Sequence, residues 1–298
     1  MQTRTATAIR LPAREKRLYN RSTMEILKLK TPEEYLEAER VQATVWHFPD
    51  REIVPLNELV VLQKHGGHVF AAFEGEAMIA FCFGCPAYGD GKVYHYSRML
   101  GVMPGNQDSG IGYTMKLKQR EYVLDQGLDL VVWTFDPLQS RNAYLNIEKL
   151  GCIIDEYSVN LYPESGSQFN KGLESDRFTP EWWIASRRVK DRLAGKRTNY
   201  DLEEFAAAVE TRTRDAGWRE PVEVRTKLKG KRVSVEIPDD IDALKKQDLP
   251  LAQLWRHRTR EAFLEYFKRG YVVTGFASKP ELGQRRSFYL LEKGFKVR

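Results

Sequence analysis

Residues 97–112 read Ser97-Arg-Met-Leu-Gly-Val-Met-Pro-Gly-Asn-Gln-Asp-Ser-Gly-Ile-Gly112, an apolar strand-like run that passes through a polar turn and opens a helix on two glycines. The physics of such a junction is anion binding. Backbone N–H groups at a helix start carry the positive end of the helix dipole, and glycine leaves them unobstructed. A nucleotide-triphosphate loop needs Gly-x4-Gly-Lys-Ser/Thr; Gly105 and Gly110 supply the first spacing, but Ile111-Gly112 stands where the lysine is required. A dinucleotide loop should follow the first parallel strand, whereas this one follows a run of hairpin-connected strands. The junction therefore reads as a phosphate cradle of another kind.

Outward from it, the pattern sets the element order. Met24 to Leu29 alternates as a strand, and Thr31-Pro32-Glu33-Glu34 is a capping box with proline in the first turn, opening a helix over Tyr35, Ala38, Val41 and Val45. Strands are expected at His68–Glu74, Ala77–Cys85 and Lys92–Met103, then a helix from Gly110 to Gln126. A strand at Leu130–Phe135, a helix at Ser140–Lys149, a strand at Ile153–Tyr162 and a last strand within Arg177–Ser186 complete the first domain, residues 24–188. Residues 189–232 are highly charged with little periodicity and read as a helical linker. Residues 233–298 repeat a β-α-β-β order like the back half of the first domain, which suggests a degenerate half-repeat. The fold class is α/β (α+β), a mostly antiparallel sheet flanked by helices, with a smaller C-terminal region.

Composition narrows the function classes. The 298 residues are 42% hydrophobic, enough for a substantial core, and no apolar run approaches the roughly 20 residues of a membrane span. Three cysteines are too few for a disulfide framework, so a reducing, cytoplasmic setting is expected. The net charge of +6 is concentrated in residues 1–23, where six basic residues face one glutamate; the body is near neutral. That argues against nucleic acid as a partner and makes the first 23 residues a basic tail.

The segment Gln107-x-x-Gly110-x-Gly112 resembles the acyl-CoA-binding motif of the GNAT (Gcn5-related) N-acyltransferase superfamily. Leu100-Gly-Val-Met-Pro104 resembles that family's bulged fourth strand, and Ala143 with Glu148-Lys-Leu-Gly151 its second motif. A narrower likeness, through Trp133-Thr-Phe-Asp-Pro-Leu138 and Trp255-Arg256, is to bacterial predicted acetyltransferases with an extra C-terminal region, some of which look like N-succinyltransferases of amino acids. The resemblance implies acetyl-CoA or another acyl-CoA as co-substrate, no metal, a small-molecule amine such as an amino acid as acceptor, and allows a homodimer. It places Leu100, Gly101, Val102, Gln107, Asp108, Ser109, Gly110, Ile111, Gly112 and Asn142 at the cofactor. A catalytically silent acyl-CoA-binding or interaction module is the alternative.

Two departures matter. Gln107 and Asp108 replace a basic residue and a glycine, so Lys116, Lys118 or Arg120 must supply the cation. Ile147 stands where the family often has the tyrosine that protonates the thiolate, and Tyr144, one turn earlier, is the candidate substitute, with ordinary helix packing as the alternative. Alternation along the fourth strand puts Tyr94, Tyr96, Arg98 and Leu100 on one face and His95, Ser97 and Met99 on the other; His95 or Tyr96 is the candidate at the acceptor amine. His95 equally fits a structural histidine. Arg177 in Asp176-Arg177-Phe178 reads either as a carboxylate clamp for the acceptor or as one half of an ion pair. Asp136 fits a strand-end catalytic group or a simple turn, and Cys82-x-x-Cys85 reads as two small hydrophobes.

Overall fold

The computed structural model describes residues 24–163, 171–214, 217–281 and 284–297. The basic tail and part of the loop before Arg177 lie outside the described residues. The chain begins with β1 (Met24–Lys28), α1 (Pro32–Trp46) and α2 (Leu56–Lys64), followed by β2 (His68–Glu74), β3 (Ala77–Gly89) and β4 (Lys92–Val102). The capping box forms as expected: Glu34 N–H donates to Thr31 Oγ1 and Thr31 N–H to Glu34 Oε2. Helix α2 was not expected. It is nine residues long and starts behind Pro55, with Leu59 buried and Leu56, Val60 and Leu62 packed against the same core.

Next come α3 (Ile111–Asp125), β5 (Leu130–Val132), α4 (Ser140–Ala143) continued by a π-helical turn over Tyr144–Lys149, β6 (Ile153–Ser158) and β7 (Arg177–Trp183). Alternation along β2 divides the core: Val69 and Ala71 pack with α1 and α2, while Phe70 and Ala72 pack with Ile111 and Met115 of α3. Helices thus cover both faces of the sheet.

After α5 (Arg187–Leu193) the expected helical linker is instead largely extended: β8 (Ala206–Ala207), then a hairpin of β9 (Val209–Thr213) and β10 (Arg219–Val224). Its charges are consumed by cross-strand and neighbouring pairs, Arg212 and Arg214 with Glu220 and Arg219 with Glu236, which hides the period of two in the sequence. The rest is β11 (Arg232–Ile237), α6 (Ile241–Gln247), α7 (Leu249–Lys268), β12 (Tyr271–Glu281) and β13 (Gln284–Lys293).

One sheet of eleven strands runs β1-β2-β3-β4-β5-β7-β6-β12-β13-β11-β8. The pairs β4–β5 and β11–β8 are parallel, and every other neighbouring pair is antiparallel. The trio β5-β7-β6 and the trio β11-β13-β12 share an order, and they meet through β6 and β12. The core does not stop at Arg188, because Phe135, Ile147, Ile154 and Phe178 pack in one cluster with Val235, Trp255, Phe263 and Tyr289.

Two local irregularities shape the centre. A bulge at Arg98 sets Ser97, Arg98 and Met99 against only Gly84 and Phe83. It corrects the simple alternation: Ser97 faces α3, but Met99 packs with Phe81 and Phe83 on the α1 side, and Leu100 turns toward Ile111 and Met115. Beyond the bulge, β4 no longer pairs with β5; their parallel ladder consists of His95 with Val131 and Tyr96 with Val132. The sheet opens there into a wedge.

Candidate functional site

At the mouth of the wedge, Gly110 caps α3 in the left-handed region (φ +84°), a conformation that favours glycine. Asp108 also has positive φ, and Ser109 Oγ donates to Asn106 O, so the turn is tightly wound. Gln107 Nε2 donates back to Val102 O. Gly112 faces the end of β4: a Cβ there would lie 3.6 Å from Leu100 Cδ2 and 3.9 Å from Val102 Cγ2, so the residue leaves a side-chain-sized cradle between α3 and β4. Gly101 has a different reason for being glycine, since a Cβ would strike the Trp46 ring at 2.6 Å.

The cation beside the loop is not one of those expected. Lys116 is buried, Lys118 pairs with Glu121, and Arg120 Nε donates to Ile184 O. Arg141, next to the exposed Asn142, reaches Asp108 at 2.9 Å with both side chains in solvent. Such a pair is weak in water and exchangeable for a ligand. The sequence signal for it was the basic residue directly before Asn142.

Tyr144 begins the π-helical turn and is 43% exposed, whereas Ile147 is sealed in the core with Phe135 and Ile154. Glu148 is drawn inward, where Oε1 accepts from Phe276 N–H and the Tyr200 hydroxyl. The C-terminal strands thereby fix the turn that carries Tyr144.

The two faces of β4 carry different chemistry. Tyr96 shares side-chain hydrogen bonds with Tyr162 and Thr134, and burial with the neighbouring Tyr162 pushes its hydroxyl up to about 12. It therefore stays protonated and donates at neutral pH. The Arg177 guanidinium lies 5.4 Å from the Tyr162 ring centre and donates to the main-chain oxygen of Asp176. Through Tyr162 the fold brings together Tyr96 and Arg177, two of the residues expected from the sequence. Tyr162 itself was missed.

Two buried ion pairs flank Arg177. A bridge between Phe135 and Phe178 sets Asp136 beside Arg177, and Asp136 pairs with Arg256 of α7 at 2.6 Å. Burial raises the Asp136 carboxyl, but Arg256 and then Arg177 outweigh it, so it is held below its usual value and is a poor base. The Asp176 carboxylate accepts from Arg260, the Tyr157 hydroxyl and Asn160 N–H.

His95 lies on the opposite face, fully buried and stacked on His68 with ring centres 5.0 Å apart. Among the described residues neither ring nitrogen has a hydrogen-bond partner, and burial followed by the Lys116 charge lowers its pKa to about 4. It is remote from the Tyr96 face and neutral near pH 7. A stability prediction follows. The unfolded chain takes up this proton near pH 6.5 and the folded chain only near 4, so stability is intact above 6.5 and falls as pH drops through that window. The loss from His95 is roughly 3 kcal/mol, and His68, shifted the same way, adds to it. Urea midpoints measured across pH 7 to 4 should fall, and fall less in His95→Leu.

Cys82 and Cys85 point to opposite faces of β3, Cys82 toward Met115 on α3 and Cys85 beside Tyr96, and all three cysteines are free. Among the described residues no group of three or more His, Cys, Asp or Glu side chains is placed to hold a metal, and no helix is long and apolar enough to cross a membrane.

No family model matches the chain, and no curated protein does. Among solved structures the neighbours include a protein of Desulfovibrio desulfuricans assigned to the GNAT acetyltransferases, 19% identical with a TM-score of 0.44, covering 55% of this chain and 100% of the other. The ribosomal-protein-S18-alanine N-acetyltransferase of Escherichia coli is 17% identical with a TM-score of 0.44, over 54% and 94% of the two chains. A GNAT family acetyltransferase of Elizabethkingia anophelis, with acetyl-CoA bound, is 16% identical with a TM-score of 0.39, over 55% and 99%.

Proposed function

We propose that the chain is an acyl-CoA-dependent N-acyltransferase, acetyl or succinyl, acting on a small amine that carries a carboxylate, such as an amino acid. The observation that supports this most is the wedge between β4 and β5. It has a glycine-opened helix start at one end and a cluster of tyrosine hydroxyls with Arg177 at the other. The residues suit a CoA ester: the N-terminal amides of α3 and Arg141 would hold the phosphates, and the cradle at Gly112 leaves room beside Leu100 and Val102 for the arm. Bound there, the ester supplies an activated carbonyl.

The chain's own part is positioning and proton handling. Tyr96, held protonated beside Tyr162, donates a hydrogen bond at its hydroxyl toward the reacting carbonyl, and Tyr144, 43% exposed at the start of the π-helical turn, is a second hydroxyl available for the thiol's proton. Arg177 orients the acceptor by its carboxylate, with Asp136 beside it to attract the ammonium. His95 has no part in this reading, because it lies where β4 is still paired with β5, stacked on His68 under α3.

Acceptor-dependent release of thiol from acetyl-CoA and succinyl-CoA, screened over a panel of amino acids and uncharged amines, tests the proposal. Thiol release with amino acids supports it. CoA binding without release under any acceptor would favour the silent module, a reading to which the buried Ile147 lends weight. Arg177→Lys keeps the charge but loses the planar fork. It should raise the Michaelis constant for the amine about 10-fold and leave that for acyl-CoA unchanged. Equal effects on both substrates would remove Arg177 from the acceptor site.

A further inference from the structure

Lys116 sits where a lysine is costly. Its side chain comes off α3 into the sheet, is 4% exposed, and forms no ion pair among the described residues. Its ammonium donates to Ser97 Oγ at 2.9 Å and Gln119 Oε1 at 3.1 Å, and lies 3.6 Å from the centre of the Trp133 ring. A buried cation normally has a counter-ion, because neutral oxygens and a ring face recover only part of its hydration.

The place is specific. The β4–β5 ladder ends at Tyr96 and Val132, so Ser97 and Trp133 are the first residues past the last rung, and Lys116 bridges them. It caps the apex of the wedge. A ligand arm that entered past Gly112 and followed the unpaired edge of β4 would end at that apex.

We propose that the Lys116 ammonium receives the departing thiolate as an ion pair, and that this anion is the counter-ion its site lacks. The inference rests on the acyl-CoA reading above and assigns a further catalytic residue within it, in place of the tyrosine absent at Ile147 and ahead of Tyr144. As the amine nitrogen bonds to the carbonyl carbon, the carbon–sulfur bond breaks and its electron pair stays on sulfur. The thiolate leaves as the partner of the Lys116 ammonium; of the two protons that the acceptor ammonium gives up on becoming an amide, one passes to water before attack and the other reaches the sulfur through water as CoA departs. No other reactant is needed.

The groups facing Nζ leave its charge for the sulfur. His68 on β2 and His95 on β4 are both neutral at pH 7, and the Cys82 thiol on β3 and the Cys152 thiol before β6 are pushed up by burial, so no anion competes. Burial lowers Lys116 itself to about 8, so at pH 7 it still carries the charge that holds a thiolate.

The test reads the thiol of bound CoA directly, without turnover. Thiolate absorbance is titrated for free CoA and for CoA saturating the parent, Lys116→Met and Lys116→Gln proteins, each against the protein alone. Lys116→Gln keeps a neutral donor toward Ser97 and guards against loss of structure, which circular dichroism checks. In the parent, bound CoA should ionise at least one pH unit below free CoA; in both variants that shift should vanish while calorimetry shows CoA affinity changed less than about 3-fold. Turnover, where the acceptor screen provides it, should fall about 100-fold in both variants. A thiol that titrates alike in parent and variants, with CoA bound to all, overturns the role of Lys116 and leaves the acyl-CoA reading standing. CoA that binds none of the proteins overturns that reading and the inference with it.

Discussion

Gly112→Val is expected to weaken CoA binding by at least about 100-fold, near 3 kcal/mol, while the melting temperature moves by only a few degrees. The position is second in α3, its φ is not in the left-handed region, and the nearest atom to an added Cβ is Leu100 Cδ2 at 3.6 Å, ordinary van der Waals contact. Valine is also a better helix residue than glycine, so the fold has no reason to suffer. The branched methyls would stand in the cradle between α3 and β4 and block close approach to the helix start. Gly110→Val is a poorer probe, because φ of +84° strains any β-branched residue there and would confuse a folding defect with lost binding. Calorimetry with CoA beside a thermal melt decides the matter. Parent-like affinity in Gly112→Val would move the phosphates away from α3.

Asp176→Ala should be the most destabilising of the substitutions considered, by about 3 to 5 kcal/mol in a denaturant titration. Asp176 is 0% exposed, and its carboxylate accepts two hydrogen bonds from Arg260 at 2.7 and 2.8 Å, one from the Tyr157 hydroxyl at 2.5 Å and one from Asn160 N–H at 3.0 Å. Removing it strands a phenol and, among the described residues, leaves Arg260 with only the exposed Glu174. Arg260 lies on α7, so the loss would also loosen that helix from β7. Arg260→Met should cost a similar amount, and the double variant much less than the sum of the two, as expected of one network. Additive losses would show that the pair contributes independently.

The parts of the fold that were legible follow from local rules. Thr31 and Glu34 announce α1, the apolar alternation of β2 to β4 announces the sheet, and Gly127 and Gly151, both at positive φ, mark chain reversals after α3 and the π-helical turn. What was not legible depends on partners distant in sequence. The hairpin β9–β10 looks like charged linker until Glu220 and Glu236 are seen to collect its arginines. The bulge at Arg98 has no local signature, yet it reverses which residues of β4 meet α3. In the candidate site, Tyr96 and Arg177 were readable as residue types in suggestive places, but Tyr162, which joins them, lies far along the chain from Tyr96. Lys116, Lys118 and Arg120 look alike in sequence. Only the spacing Lys116, Gln119 and Val123, all buried, distinguishes the face turned inward, and a lysine there is easily read as solvent-exposed.

The meeting of β6 with β12 has a consequence for association. Without the C-terminal strands, β6 would end the sheet as a bare edge, with unpaired amides and carbonyls inviting a strand from another molecule. The chain fills that vacancy from its own sequence, and the sheet now ends at β1, five residues long, and at β8, only two. A docking seam that another protein would have to complete has been internalised, so a second copy cannot add to β6, and any self-association must use a different surface.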